Sequence, residues 1–328
     1  MDEAAGVHRV RQRCPGFSIC LALASHCAGP AGKDSRTIGG LVLGTPDPEP
    51  FWRAFRERLH ELGHREGDNV ALEYRTAQGD AALLAGLAAE LVRRNVDVVV
   101  VFQTAPARVA MNATKDIPIV LGPAGDPIGT GLVTSLAYPG GNVTGLSGTA
   151  VDLAPKTLEL VREVIPTVRR IAVLAHEVDP FGKLLIEELE QGARTLGIEA
   201  RSATVLKEEE LDGAFADVAN TGASAVIIQP SISGKHAADL AIKYRLPAVS
   251  VSRLLVEAGG LMSYSADLAI LHREAAVYVD KILRGERPSN LPIAQPTRFE
   301  LIINLKTAKA LGLTIPPTLL ARADEVIE

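Results

Sequence analysis

The residues able to bind or react sit in short polar segments, each followed by a helix-like run. They are Thr45, Gln103-Thr104-Ala105-Pro106, Asp126-Pro127, His176-Glu177-Val178-Asp179, Gln229-Pro230-Ser231 and Ser252-Arg253. Thr104 stands just ahead of a helix with Pro106 in its first turn. Free backbone N–H groups there suit a carboxylate or other anion, and the same position suits an ordinary Thr cap. Asp126 fits two roles, capping the helix expected over 128–136 or pairing with a ligand ammonium. His176, Glu177 and Asp179 are metal-ligand residue types, but a closed metal site needs further ligands that the sequence does not supply. A solvated loop is the simpler reading, and no metal or cofactor is expected. Arg253 could grip a carboxylate in a fork or serve a salt bridge.

These segments need a scaffold, and the sequence alternates strand-like and helix-like runs. Ile38 to Leu43 is a buried strand leading to the Gly44–Pro50 loop; Phe51, Phe55, Leu59 and Leu62 then recur at helical spacing until Gly63. Val70 to Tyr74 alternates as a strand, Ala81 to Arg94 reads as helix, and Val96 to Phe102 is a continuous β-branched run. A helix opened by Pro106, a strand at Ile117–Leu121, a helix at Ile128–Leu136 and a strand at Val143–Ser147 complete a first lobe. From Asp152 the alternation restarts and runs to Val251. Such order favours parallel sheets with right-handed crossovers. Ligands then gather beyond the carboxyl ends of the strands, where the polar segments lie.

The chain has 328 residues, 47% of them hydrophobic, and a net charge of −5, enough for two ordinary cores. No Lys/Arg stripe provides a nucleic-acid footprint. All three cysteines, Cys14, Cys20 and Cys27, fall in the first 27 residues, which excludes a disulfide scaffold or Cys-based metal site in the body. Arg9, Arg11 and Arg13 ahead of the apolar run Phe17–Ala24 resemble a secretory signal, blemished by Asp2, Glu3, Pro15 and Gly16. His26 opposes a lipid anchor on Cys27. There is no Gly-x-Ser-x-Gly elbow, phosphate-binding loop or His-Glu-x-x-His pair, and Gly39–Gly44 lacks the dinucleotide spacing.

Three further segments place the chain. Pro139-Gly140-Gly141-Asn142-Val143-Thr144-Gly145, then Ala258-Gly259-Gly260-Leu261-Met262-Ser263-Tyr264, then Pro296 to Gly312 with the ending Ile315 to Ile327, resemble the bacterial ABC-transporter substrate-binding proteins that include tryptophan- and tyrosine-binding members. The resemblance covers nearly everything after residue 37. It implies an α/β fold of the type I periplasmic-binding class: two doubly wound parallel-sheet lobes joined by a three-crossover hinge. Residues 1–36 would be a leader, 37–146 plus 265–288 lobe 1, and 147–262 plus 289–328 lobe 2. Crossovers would fall near 145–150, 262–266 and 287–294, with Tyr264 closest to the cleft. The loops at Thr45, at Thr104-Ala105 and at Asp126 would line the lobe 1 half of the pocket.

In lobe 2 the chain departs from that family's pattern. His176 and Asp179, Gln229 and Ser231, and Ser252 beside Arg253 stand where relatives carry an Asn-Pro loop, an Asp with aromatics, and a Tyr and a Phe. The reading is that small polar residues replace an aromatic wall, so the ligand is small, polar and not an aromatic amino acid. The resemblance further implies an extracytoplasmic monomer without enzymatic activity that hands its ligand to an ABC permease and its ATPase subunit. A ligand-sensing domain and a small-molecule enzyme are the alternatives. The first would need a DNA-binding or transmembrane module, for which residues 1–36 read as too short and unsuitable, and the second a nucleophile–base pair that no motif supplies.

Overall fold

In the computed structural model, residues 35–44 and 49–328 are described. The Arg9–Cys27 leader features and Thr45 lie outside them. Chain order is β1 (Arg36–Val42), α1 (Glu49–Glu61), β2 (Val70–Thr76), α2 (Leu84–Arg93), β3 (Val98–Phe102), α3 (Thr104–Ala113), β4 (Ile119–Ala124) and β5 (Val143–Ser147). It continues with α4 (Ala154–Val164), β6 (Arg170–His176), α5 (Pro180–Thr195), β7 (Glu199–Val205), α6 (Leu211–Asn220), β8 (Val226–Ile228), α7 (Lys235–Lys243), β9 (Ala248–Ser250) and α8 (Arg253–Glu257). The remainder is β10 (Met262–Ala266), α9 (Leu268–Leu283), β11 (Phe299–Asn304), α10 (Leu305–Leu311), α11 (Pro317–Leu320) and β12 (Glu325–Ile327).

Two sheets form. The first is five-stranded and parallel, in the order β2-β1-β3-β4-β5; the second has seven strands, β12-β11-β10-β9-β8-β6-β7. The period of two in a strand explains their two-sided cores. Ile38, Val98, Val100 and Val120 point into one apolar layer of the first lobe, while Leu41, Val99, Val101 and Leu121 enter the opposite layer. Ile171, Val173 and Ile227 divide in the same way from Ala172, Leu174, Val226 and Ile228 in the second. Strands buried on both faces must be apolar throughout, which is why β3 reads Val-Val-Val-Val-Phe.

The last third of the chain ties the lobes together. After β10 in the second sheet, Asp267 caps α9 by accepting a hydrogen bond from the Ile270 N–H. Helix α9 buries Leu271, Ala275, Ala276, Val279 and Ile282 against the first sheet. The chain then passes β5, where Ser147 N donates to Ala294 O at 2.8 Å and Ala294 N to Gly145 O at 3.0 Å. It enters the second sheet from the opposite direction, so β11 pairs antiparallel with β10. That pair is the departure from an all-parallel expectation.

The helix expected over 128–136 is replaced by turns. Gly129 and Gly131 make propagation costly, and Gly131 adopts φ +67°, which stops a right-handed helix. Among the described residues, no helix is long and apolar enough to cross a membrane.

Candidate functional site

The carboxyl ends of both sheets face one another across a cavity of about 90 Å3. Lobe 1 contributes Phe102 at the end of β3, Gln103 and Thr104 at the start of α3, and Pro123, Ala124 and Gly125 around the end of β4. Lobe 2 contributes Asp179 and Phe181 at the start of α5, Gln229, Pro230 and Ser231 after β8, and Val251 and Ser252 after β9. Gly148, Ala150, Ala266 and Leu268 close the hinge side, with Leu271 and His272 of α9 behind them.

Gln103 holds the lobe 1 rim together. Its φ of +78° is a backbone conformation that costs on the order of 1–3 kcal/mol outside glycine. Two neighbouring loops fix it there: its N–H donates to Pro123 O at 3.0 Å, and its side-chain Oε1 accepts from Leu43 N at 3.3 Å. Next to it, Thr104 Oγ1 accepts the Gly125 N–H at 3.1 Å. The hydroxyl thus joins two loops of the pocket wall.

On the lobe 2 side, Gln229 is fully buried and spans two loops. Its Oε1 accepts the His176 N–H at 2.7 Å, and its Nε2 donates to Asp179 Oδ2 at 2.7 Å. The other carboxylate oxygen of Asp179 accepts the Phe181 N–H at 3.1 Å, capping α5. Asp179 is 3% exposed, and burial pushes its carboxyl up to about 6 despite those hydrogen bonds.

The two lobes touch. A methyl group placed on Gly125 would lie 2.4 Å from the Phe181 ring, and one on Gly44 would lie 2.6 Å from Ser231 O. Glycine at these points lets lobe 1 backbone meet lobe 2 directly. A wider cavity of about 500 Å3 adjoins the first and shares Gln103, Pro230, Ser231 and Leu254 with it.

The structure gathers Thr104, Asp179, Gln229, Ser231 and Ser252 around the central cavity and puts the other candidates elsewhere. Ala105 is buried in the lobe 1 core behind Thr104. The Asp126 carboxylate accepts from the N–H groups of Ile128 and Gly129, so it caps a turn. His176 is buried against the wider cavity, where burial lowers its pKa. Arg253 corrects the carboxylate-fork reading, because its guanidinium meets Glu257, Glu300 and Glu325 of its own lobe at 2.8 to 3.0 Å. Tyr264 stacks on Phe299 with ring centroids 6.1 Å apart instead of lining the cavity. No group of three or more His, Cys, Asp or Glu able to hold a metal occurs among the described residues.

The reading of a wall without aromatics is also corrected. Phe102 and Phe181 both line the cavity, and Leu254, Leu268 and Leu271 extend its apolar surface. Phe102 was legible only as the last residue of a buried strand, and Phe181 as the first apolar residue of a helix. Nothing in their spacing marks a site, because α9 completes the wall from far along the chain.

The profile of the family described as ABC transporter substrate binding protein matches residues 51–327. The chain belongs to this family. A tyrosine-binding protein of Clostridioides difficile is 28% identical over 288 residues, covering 86% of this chain and 82% of that protein. An ABC domain from Streptococcus pneumonia, solved in complex with L-Trp, superposes with a TM-score of 0.82 at 28% identity, over 89% of this chain and 100% of that one. The ligand-free, open form of a substrate-binding protein from Clostridium difficile gives a TM-score of 0.61 at 25% identity, over 89% and 99%. At similar identity and coverage, the substrate-binding fold seen here matches the liganded structure better than the open one.

Proposed function

We propose that this protein is the solute-binding component of an ABC importer, a monomer outside the cytoplasm that captures a small molecule between its lobes. Closure would then present it to a membrane permease served by an ATPase subunit. The lobes are residues 37–146 plus 265–288 and 147–262 plus 289–328. The observation that carries this reading is the cavity walled by both lobes, which meet where Gly125 faces Phe181 and Gly44 faces Ser231. A ligand touching both walls binds the closed state better than the open one and shifts the population toward it. A nearly complete shift needs about 5 kcal/mol of differential affinity. The protein binds without turning its ligand over.

Size argues against the aromatic amino acids of its relatives. An apolar cavity of about 150 Å3 admits benzene, whereas this one is about 90 Å3. With the lobes in this arrangement, an indole or phenol ring exceeds the central cavity and would have to extend into the wider one beside it. The ligand is a small amphipathic molecule with a polar head at the Asp179–Gln229 end.

A thermal-shift screen of the purified chain against amino acids, organic acids, amines, sugars and purines tests the reading. A binding protein gains about 2.7 kcal/mol of stability at a ligand concentration one hundred times Kd. Small-angle scattering should show a reduced radius of gyration with the same compound. Consumption of the compound by the protein alone would refute the binding role.

A further inference from the structure

We propose that the molecule captured between the lobes carries a cationic amine, held by the Asp179 carboxylate, on an aliphatic body smaller than a phenyl ring. The inference rests on the reading of this cavity as the solute site. Among the described lining residues Asp179 is the single carboxylate, and none is a lysine or arginine. Its hydrogen-bond partners are neutral, the Phe181 N–H, the Ser231 hydroxyl and the Gln229 amide, and a carboxylate has acceptor sites for more than these three. A buried carboxylate without a counterion is costly, and an ammonium arriving with the ligand supplies one.

The cations nearby are engaged elsewhere. Arg108 on α3 donates to Thr130 O, Lys183 on α5 lies 3.8 Å from Glu187, and Arg253 is held by Glu257, Glu300 and Glu325. Glu177 is exposed, and His176 faces the wider cavity. His272 is the other titratable group in the wall; its protonation would oppose a cationic ligand, in the same direction as protonation of Asp179.

Other ligand classes fit less well. A purely anionic ligand would share the cavity with a buried carboxylate of like charge. A sugar needs hydrogen-bond partners around its whole edge, and Phe102, Phe181, Val251, Leu254, Leu268 and Leu271 offer none through their side chains. The lobe 2 loops set Asp179, Gln229, Ser231 and Ser252 beside these apolar side chains, which suits one charged head on an apolar body.

The test measures affinities of the full chain for L-valine, isobutylamine, 3-methylbutanoate, D-glucose and L-tyrosine by calorimetry, with thermal shift in parallel. The two small amines should bind, and the other three should bind at least tenfold more weakly. Because burial holds the carboxyl near 6, amine affinity should fall about tenfold between pH 7 and pH 5. Asp179→Asn should lose tenfold or more in affinity and flatten that pH step, with apo melting at pH 7 not lowered; Asp179→Ser, which keeps a capping oxygen, should do the same. Binding of 3-methylbutanoate as tight as that of isobutylamine, or unchanged amine affinity in both variants, would overturn the inference while leaving solute binding intact. Tight tyrosine binding would overturn its size limit. No binding of any probe, together with no hit in the wider screen, would overturn both readings.

Discussion

Replacing Gly125 with alanine separates closure from folding. The new methyl carbon would lie 2.4, 2.6 and 2.9 Å from three atoms of the Phe181 ring, against about 3.5–4.0 Å for an unstrained carbon contact. The ring must therefore retreat by about 1 Å. Phe181 is 4% exposed and packed in the lobe 2 core, which leaves it little room to move. Overpacking of this kind costs about 1–3 kcal/mol. In an open form that separates Gly125 from Phe181 the cost vanishes, so it falls on the closed state alone. At 1.4 kcal/mol per factor of ten, ligand affinity should weaken roughly 5- to 150-fold. Calorimetry with a ligand from the screen measures this, and scattering with saturating ligand should show closure requiring higher concentration. Gly86→Ala is the control: Gly86 lies in α2 with nothing within 4 Å of an added methyl group. It should raise stability by about 0.5–1 kcal/mol without touching affinity. Unchanged affinity in Gly125→Ala, or an apo protein destabilised by as much as binding is weakened, would refute the reasoning.

Two further outcomes concern stability. Arg253→Ala removes the partner of Glu300, whose side chain is 7% exposed, and should cost about 3 kcal/mol in urea unfolding at pH 7. Burial already pushes the Glu300 carboxyl up against the pull of Arg253, so part of that loss should recover as the pH is lowered, while ligand affinity stays unchanged. For Asp179, the folded carboxyl at about 6 lies above its ordinary 3.8. The folded state then binds more protons than the unfolded state between those values, and its contribution is most favourable at low pH and declines as pH rises through 6. Between pH 4.5 and 7.5 the wild-type apo protein should lose about 2 kcal/mol relative to Asp179→Asn. Urea unfolding at pH 4.5 and 7.5 reads the difference.

The scaffold was legible wherever burial is two-sided or periodic. The Val98–Phe102 run had one sensible place, the middle of a parallel sheet, and it sits between β1 and β4. The helical spacing of Phe55 and Leu59 likewise matches the face that α1 buries. Local reading misled at Pro127-Ile128-Gly129-Thr130-Gly131, where apolar residues suggested helix and two glycines made turns. It was weakest at the pocket. Asp179, Gln229, Ser231 and Ser252 were candidates because ligands gather beyond the carboxyl ends of parallel strands, but whether a side chain faces the cleft depends on partners far away in sequence. Arg253 was ambiguous until Glu300 and Glu325 arrived from β11 and β12. Phe181 looked like helix core, and it is both helix core and cavity wall.

That double placement changes what discrimination means for this protein. The same ring bounds the ligand on one side and abuts Gly125 on the other. A molecule too bulky for the cavity would press Phe181 toward a surface that has no slack. It could still settle on one open lobe, yet the second lobe would be held off. Unsuitable compounds would then act as occupants that hold the lobes apart, so rejection would be decided at closure and not at first contact.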